Sequence, residues 1–398
     1  MARFGGVMTD ITNATPFGVD VLATFDKDDN ELLLVCAQGR FVIPSPGEAP
    51  RQAPGNGAPA LGPEQSKPSF EDVHWDDPAT SSLRFEGQSA YRRPATDVYL
   101  SGHACTPGGK PASAVAIELR LGSLLQKRVL AIGERRWIEH EGKLVASAPK
   151  PFVSLPLRYE NAFGGRLGGG QSANEGAVRD ARAGAGTGEG AVRGAPAGAS
   201  AREGAGPGAR PSADPGAKEI AEACQRNPVG CGAYTSAQAA LGQPLPQLEN
   251  PAHRIRSFTD RPAPAGLGPI ARHWTPRLGY AGTYDDAWSK QRAPLWPKDF
   301  DERFLQAAAA GMTIAEPAGG ELVTVSGVSS EGTLRFILPA VRLEAECYSQ
   351  RGNQSARLVL DGIHIDADER VLTLVWRASI SSPFGAYSWD ECSVRLAS

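Results

Sequence analysis

Strict alternation of apolar and polar side chains is the feature that most constrains this chain. Residues 115–121 read VAIELRL, in which the large apolar residues occupy every second position and Glu118 and Arg120 lie between them. Successive side chains of an extended strand point to opposite faces, so this segment has one apolar face and one polar face. The pattern indicates a half-buried antiparallel strand.

Further strands are predicted along most of the chain, at residues 19–25, 31–35, 98–105, 128–132, 321–325, 333–338, 341–345, 357–365 and 371–378. The Asp-rich linkers 26–30 and 366–370 suit hairpin turns, because Asp and Asn side chains bond to nearby backbone groups. One helix is predicted over 299–311, with acidic residues in its first turn, Phe300 and Phe304 at i and i+4, and Gly311 as its stop. We therefore predict a mainly β fold: a single large antiparallel β-sandwich-like domain with long loop insertions and one short helix.

Two segments carry too little apolar volume to pack. The chain has 46 Gly and 32 Pro among 398 residues; seven of the prolines lie within 44–69, and 165–217 is almost entirely Gly, Ala, Arg, Ser, Glu and Pro. We expect a mobile Pro-rich loop at 44–69 and a disordered Gly/Ala-rich insert at 165–217. Because the ends of a flexible coil of about 50 residues can still meet, both are expected to interrupt one domain, 1–398, without dividing it.

Charge and hydropathy exclude several classes of partner. Forty-one basic and 44 acidic side chains give a net charge of −3, so the chain has no overall positive field for a nucleic acid or an anionic bilayer. No run of 18 apolar residues occurs, and the first residues contain no apolar signal core, which predicts no membrane insertion and a cytoplasmic location. The six cysteines form no C-x-x-C pair and are expected to be reduced, mostly buried thiols.

Catalytic candidates are few. Ser101, His103 and Cys105 alternate along one predicted strand, with Asp97 upstream, and these residue types include a nucleophile and a base. Side chains two positions apart on a strand are about 7 Å apart and project in parallel, so the alternation does not by itself create a contact. The six histidines have no metal-ligand spacing. We therefore expect no catalytic residue, no metal and no cofactor, and a protein that is not an enzyme.

The segment 264–304 has the most unusual composition, since three of the seven tryptophans lie in it among Arg, Asp, Tyr and Pro. Aromatic and Arg enrichment is typical of binding hot spots, and prolines lower the entropy cost of holding a loop in shape. The equally open alternative is that the aromatic residues pin an irregular loop onto the sheet, with Arg and Asp satisfying buried backbone groups. The predicted partner-binding residues are Trp274, Arg277, Tyr284, Asp285, Trp288, Arg292 and Trp296.

Acidic residues near these tryptophans allow a different hypothesis, a protein that binds or cleaves glycan of the cell envelope. Such a site needs two carboxylates on either side of a sugar, with indole rings as stacking platforms. The candidates are Glu160, Asp285, Asp286, Asp299 and Asp301. Asp299 and Asp301 are more economically explained as acids at the start of a helix, and Asp285 as a partner for a nearby arginine.

A series of short motifs follows one another in a fixed order along the chain. They are RPATDVYLSGHA at 93–104, GERRW at 133–137, PF at 151–152, YENAFGG at 159–165, NPVGCG at 227–232, LPQLE at 245–249, the segment 264–304, LP at 338–339 and LVWRA at 374–378. In this order the motifs resemble the bacterial family of domain of unknown function 2169 over nearly the whole chain. The segments 44–69 and 165–217 depart from the usual pattern of the family.

The resemblance implies a role in type VI secretion. Members look like cytoplasmic adaptors or chaperones that bind an effector, often one with a PAAR-like domain, and help to load it on the VgrG spike. It implies no catalytic residues. We therefore expect a non-enzymatic adaptor whose partners are such an effector and VgrG, with the glycan-acting protein as the alternative.

Overall fold

Strands dominate residues 10–48, 60–62, 64–165 and 215–397, which the computed structural model describes. The first twelve are β1 (Asp10–Ala14), β2 (Gly18–Phe25), β3 (Glu31–Val42), β4 (Ala60–Leu61), β5 (Val73–His74), β6 (Leu83–Phe85), β7 (Thr96–Ser101), β8 (His103–Cys105), β9 (Ala114–Leu121), β10 (Leu125–Ile132), β11 (Trp137–His140) and β12 (Lys143–Ala146). The others are β13 (Ser154–Pro156), β14 (Phe163–Gly164), β15 (Cys231–Gly232), β16 (Leu248–Glu249), β17 (Thr313–Ile314), β18 (Leu322–Ser326), β19 (Leu334–Ile337), β20 (Leu343–Ser349), β21 (Gly352–Asp366), β22 (Val371–Ser381) and β23 (Glu391–Leu396).

The helices are short and lie between the strands. The α-helices are α1 (Pro215–Arg226), α2 (Ala237–Ala240) and α3 (Asp286–Gln291). Single 3₁₀ turns occur at Pro107–Gly109, Tyr159–Asn161, Arg277–Tyr280, Glu302–Leu305 and Ala386–Ser388.

Two sheets enclose the main hydrophobic core. The larger one runs in the order β1-β23-β20-β21-β22-β3-β2, with β7 beside β21, β17 beside β7, and β4 beside β3. The smaller one runs β16-β10-β9-β18-β19. Val35 and Leu374 of the larger sheet and Leu119, Val325 and Phe336 of the smaller one are fully buried members of one cluster. This arrangement confirms the mainly antiparallel, sandwich-like fold.

Both predicted Asp-rich hairpin turns are present. In the turn between β2 and β3, Asp26 Oδ1 accepts hydrogen bonds from the backbone N–H groups of Asp28 at 2.8 Å and Asn30 at 2.9 Å. In the turn between β21 and β22, Asp366 Oδ1 accepts one from the N–H of Glu369 at 3.0 Å. The side chains thus satisfy the backbone groups that leave the strand ladders.

The strand predicted over 98–105 is divided at Gly102. This residue has φ +128°, and a Cβ there would lie 3.0 Å from Asp368 Oδ1, so a side chain would be both strained and crowded. Before the break, β7 pairs with β21 in the larger sheet; after it, β8 pairs with β13. The two halves of the predicted strand therefore belong to different sheets.

The helix predicted over 299–311 is wrong in extent. Asp301 caps a single 3₁₀ turn, Glu302–Leu305, and Gln306, which follows the turn, has an extended backbone. The N–H of Ala307 donates to Asp97 Oδ2 at 2.8 Å, and its carbonyl accepts from Ile270 N at 2.7 Å. These tertiary hydrogen bonds replace the helical ones and override the helix propensity of the alanines.

The structure describes only parts of the two predicted loops. Part of 44–69 packs on the larger sheet: β4 pairs with β3, and the amide of Gln65 donates to the Arg40 carbonyl at 2.9 Å. The mobility of this loop stays a prediction. Residues 49–59, residue 63 and most of the predicted insert, 166–214, lie outside the described residues. The last residues of the predicted insert begin α1, which opens at Pro215.

Within the described ranges, no helix combines the length and the apolar composition that a membrane span requires.

Candidate partner-binding surface

Asp285 positions the first turn of α3. Its Oδ1 atom accepts a hydrogen bond from the backbone N–H of Trp288 at 2.8 Å, which is the geometry of an N-cap. The indole N–H of Trp288 in turn donates to the carbonyl of Leu295 at 2.8 Å and so fixes the ring across the loop that follows the helix. The ring of Tyr284 meets this indole edge to face, with centroids 4.6 Å apart. These residues form one cluster on the outside of the protein.

The hydroxyl of Tyr284 has no hydrogen-bond partner in the described part of the chain. Burial, with a smaller contribution from Asp299, raises the pKa of Tyr284 to about 12. The group is therefore protonated at neutral pH, and its oxygen is buried beneath the surface although part of the ring is exposed. The exposed part of the ring, and not the hydroxyl, is what Tyr284 presents to a partner.

Trp296 connects the surface to the interior. Its ring lies 4.1 Å from that of Phe300 and 6.1 Å from that of Phe304, centroid to centroid. Both phenylalanines belong to a small buried cluster that includes Leu32 of β3. One side of the half-buried indole thus packs on the outer face of the larger sheet, which holds the ring in a fixed position.

Arg292 attaches this loop to the hairpin turn between β2 and β3. Its two terminal nitrogens each lie 3.0 Å from a carboxylate oxygen of Asp29, and one of them also donates to the Lys27 carbonyl at 3.3 Å. The Nε atom donates to the carbonyl of Trp296. Such a bidentate pair has defined geometry as well as attraction, so the guanidinium acts as a clamp between two surface loops.

A hollow of about 370 Å³ lies between the two loops. Its lining combines apolar and polar side chains: Phe25, Asp29, Gln291, Arg292, Ala293, Pro294, Leu295 and Trp296. We call the surface made by this hollow together with Tyr284, Asp285 and Trp288 the indole surface. It contains five of the seven residues predicted from the sequence.

Trp274 is not part of this surface, because it is only 1% exposed. Its ring meets that of Tyr159 edge to face at 5.4 Å, and its indole N–H donates to His273 Nε2 at 2.9 Å. Burial also lowers the pKa of His273, which keeps the imidazole neutral as the acceptor of that hydrogen bond. Trp274 therefore pins its loop to the core.

Arg277 is also buried, at 3% exposure. It donates to the carbonyls of Phe304 and Ile270, each at 2.7 Å, and pairs with the buried carboxylate of Glu86. Although burial acts to raise the pKa of Glu86, Arg277 and then Arg93 lower it below its ordinary value. For Arg277, as for Trp274, the structure agrees with the loop-pinning alternative.

Several residues of the family motifs lie in the same buried polar network. Arg93 pairs with Glu86 at 3.0 Å, and Tyr99 donates to Asp97 at 2.9 Å. Arg377 of the LVWRA motif pairs with the buried Asp361 at 2.5 Å. Arg377 also donates to the carbonyls of Gln88 and Ala90, so this network holds the segment before β7 against the larger sheet, and its charges are compensated inside the protein.

The candidates Ser101, His103 and Cys105 do not converge. His103 lies beyond the break at Gly102 and pairs with Asp368 at 2.7 Å. Cys105 donates to the His103 carbonyl at 3.7 Å, and burial raises the pKa of its thiol. The side chains of His103 and Cys105 therefore each have a hydrogen-bond partner of their own beyond the break.

Ser101 instead meets His364, a residue that sequence reasoning missed. The Oγ and Nε2 atoms are 3.0 Å apart, and both side chains are buried. Burial lowers the pKa of His364 to about 4, far below the value that suits a general base near neutral pH. No carboxylate in the described ranges is hydrogen-bonded to this imidazole, so the pair lacks the orienting acid of a catalytic triad.

Four of the five carboxylates considered for a glycan site are engaged by neighbouring groups. Asp285 is the cap of α3. Glu160 accepts hydrogen bonds from Ser82 at 2.7 and 2.8 Å, Asp299 from Thr283 at 2.9 and 2.8 Å, and Asp301 from Arg303 at 2.5 Å. In the part of the chain that the structure describes, no three His, Cys, Asp or Glu side chains are grouped so that they could hold a metal ion.

A second cavity, of about 510 Å³, lies between the segment 66–88 and the outer face of the larger sheet. Its polar lining carries charges of both signs that are largely paired, as in Arg84 with Asp366 and Glu369 and Arg93 with Glu86. Because its charges are largely paired, this cavity favours neither an anionic nor a cationic ligand.

Sequence reasoning also missed Phe25, Asp29 and Leu295, which complete the indole surface. The only relevant signal was the Asp-rich turn itself. The turn is distant in sequence from 264–304, and nothing in its composition indicated that Arg292 would pair with Asp29.

Comparison with known proteins gives one result. No curated protein and no solved structure matches the chain significantly. A family model described as an uncharacterized protein conserved in bacteria, DUF2169, matches residues 28–377. The match covers most of the chain and leaves β1, β2 and β23 outside it, and the chain therefore belongs to the DUF2169 family.

Proposed function

We propose that this chain is a cytoplasmic, non-enzymatic adaptor of type VI secretion that binds an effector protein through the indole surface. The effector carries a PAAR-like domain, and the complex is delivered to VgrG. Membership of the DUF2169 family supports the proposal through the role that the motif resemblance implies.

The observation that carries the proposal is the fixed position of the indole surface. Trp288 is held by Leu295, Trp296 by Phe300, and Arg292 by Asp29. Because these side chains are already ordered, a partner loses little further conformational entropy on contact. Half-buried indole rings at and beside a hollow, with a half-buried tyrosine ring next to them, are typical of a protein-binding hot spot.

The glycan-acting alternative has less support from the same geometry. It requires two carboxylates that face one groove, and four of the five candidate acids accept hydrogen bonds from their own neighbours. We therefore propose protein recognition alone.

A pull-down with the full chain, followed by mass spectrometry and then by titration with the purified effector, tests the proposal. The double variant Trp288→Ala/Trp296→Ala should abolish co-purification while the melting temperature stays within a few degrees of that of the wild type. Trp75→Ala is the matched control: Trp75 is also a half-buried tryptophan, placed against Arg84 and Arg158 away from the indole surface. This control should bind normally.

A second variant keeps the test decisive if the double variant unfolds. Gln291→Trp adds bulk at the exposed rim of the hollow and removes no described contact. It should weaken binding by at least about tenfold. Normal binding by a folded double variant, or by Gln291→Trp, would show that these rings serve only to pin the loop.

A further inference from the structure

Among the described residues the larger sheet ends at β2, and no described strand pairs with the outer edge of β2. β2 pairs with β3 from Gly18 opposite Gln38 to Phe25 opposite Glu31. At the next position beyond this pairing, the backbone N–H of Asp26 donates to the carbonyl of Asn30 at 3.1 Å, so Asp26 and Asn30 form a hydrogen-bonded pair. Bonded and non-bonded pairs alternate in an antiparallel ladder, so Thr24, Leu22 and Asp20 face β3 through their backbone groups. The backbone N–H and C=O groups of the residues between them point away from β3.

One end of this edge is already covered. A Cβ on Gly18 would lie only 2.0 Å from the carbonyl oxygen of Ser66, and Lys67 lies 3.6 Å from Asp20. The N–H of Val21 donates to Asp20 Oδ1 at 3.1 Å. For the backbone N–H groups of Ala23 and Phe25, the described ranges provide no acceptor. The open stretch is therefore 21–25.

The open stretch lacks the usual protection of an edge strand. Its sequence, VLATF, contains no charge, no proline and no bulge. By contrast β1, at the other end of the sheet, has the polar and largely exposed sequence DITNA. Three residues join β1 to β2, yet the two strands do not pair, so the sheet stays open between them.

The open stretch leads into the indole surface. Phe25 is its last residue and also lines the hollow, together with Arg292 and Trp296. A segment paired with 21–25 would therefore continue directly into that hollow. Only a polypeptide in extended conformation supplies backbone donors and acceptors at strand spacing.

We infer that the partner binds by strand addition: an extended segment of about five residues pairs with β2 at 21–25 and places its next side chain, an apolar one, in the hollow beside Trp296. The inference rests on the proposed function and specifies how that surface engages the effector. The free edge is apolar, so the segment carries apolar residues at alternate positions and no proline where it pairs.

Hydrogen exchange by mass spectrometry on the full chain, alone and with the purified effector, tests the inference directly. The amides of Ala23 and Phe25 should exchange at least about tenfold more slowly in the complex, because they acquire acceptors. Overlapping 12-residue peptides that tile the effector should locate the segment, and the peptides that bind should give the same protection.

A pair of substitutions at one position gives the matched comparison. Ala23→Pro removes an outward N–H and leaves the β3 ladder intact, so it should weaken effector binding about tenfold or more. Ala23→Val keeps the N–H, and its affinity for the effector should stay within about threefold of that of the wild type.

If the complex forms but these amides remain unprotected and Ala23→Pro binds normally, strand addition is excluded and the proposed function survives. If the wild type binds no effector at all, the proposed function itself fails. Should Ala23→Pro misfold, the exchange result on the wild type decides.

Discussion

His364 should make the protein lose stability when the pH falls from 7 to 5. The imidazole on β21 is buried against the ring of Phe85, at 4.4 Å between centroids, with the Ser101 hydroxyl at its Nε2 atom. The charged groups nearest to it are Asp366, which favours the protonated form, and Arg84, which opposes it. Burial dominates and lowers the pKa to about 4 from the ordinary value of 6.5.

The sign follows from the two pKa values. Between pH 6.5 and about 4 the unfolded chain binds a proton that the folded chain does not, so acidification favours unfolding. Above pH 6.5 both states are neutral and the folded state keeps its full stability; below about pH 4 both are protonated and nothing further is lost. At about 1.4 kcal/mol per pH unit, the whole window corresponds to roughly 3 kcal/mol, of which about 2 kcal/mol is lost between pH 7 and 5.

Urea unfolding followed by tryptophan fluorescence at pH 7 and pH 5 measures this loss. His364→Gln cannot titrate but keeps a polar group near Ser101, so its loss should be about 2 kcal/mol smaller than that of the wild type. Comparing differences between the two pH values cancels any fixed packing cost of the substitution. His140→Gln is the control: the side chain of His140 is 71% exposed, so this variant should behave as the wild type does. Equal losses in the wild type and His364→Gln would refute the argument.

Two further predictions concern the interior. Glu86→Gln should lower the free energy of unfolding by about 3 kcal/mol or more, because it leaves the buried guanidinium groups of Arg93 and Arg277 without a compensating charge. A loss below about 1 kcal/mol in urea unfolding would contradict this prediction. Cys347 and Cys392 lie opposite each other on β20 and β23 with sulfur atoms 3.1 Å apart, so diamide should oxidise them to an intramolecular disulfide. Alkylation after denaturation should then find four free thiols, and six would show that the pair does not form a disulfide.

The fold class could be predicted from the sequence because alternation is a local property. The period-two pattern in 115–121 defines an apolar face whatever the rest of the chain does, and β9 places that face in the core. The Asp-rich turns were equally predictable, since Asp26 satisfies backbone groups within four residues of itself.

The helix over 299–311 and the strand over 98–105 failed for a common reason: their outcome depends on distant partners. Ala307 is held by hydrogen bonds with Asp97 and Ile270. The chain leaves the larger sheet between β7 and β8, at Gly102, which faces Asp368. Local propensity is worth a few tenths of a kcal/mol per residue and gives way to such contacts.

The same distinction divides the predicted site. Composition identified the segment 264–304, but exposure is a property of the folded protein: Trp274 and Arg277 are buried, while Trp288, Arg292 and Trp296 remain at the surface. The sequence by itself determined that this chain forms antiparallel sheets and contains an aromatic, arginine-rich segment, because periodicity and composition are local. Only the tertiary structure decided which aromatic side chains face outward and that they adjoin the open edge of β2, because both depend on contacts between residues distant in sequence, such as Trp274 with Tyr159 and Arg292 with Asp29.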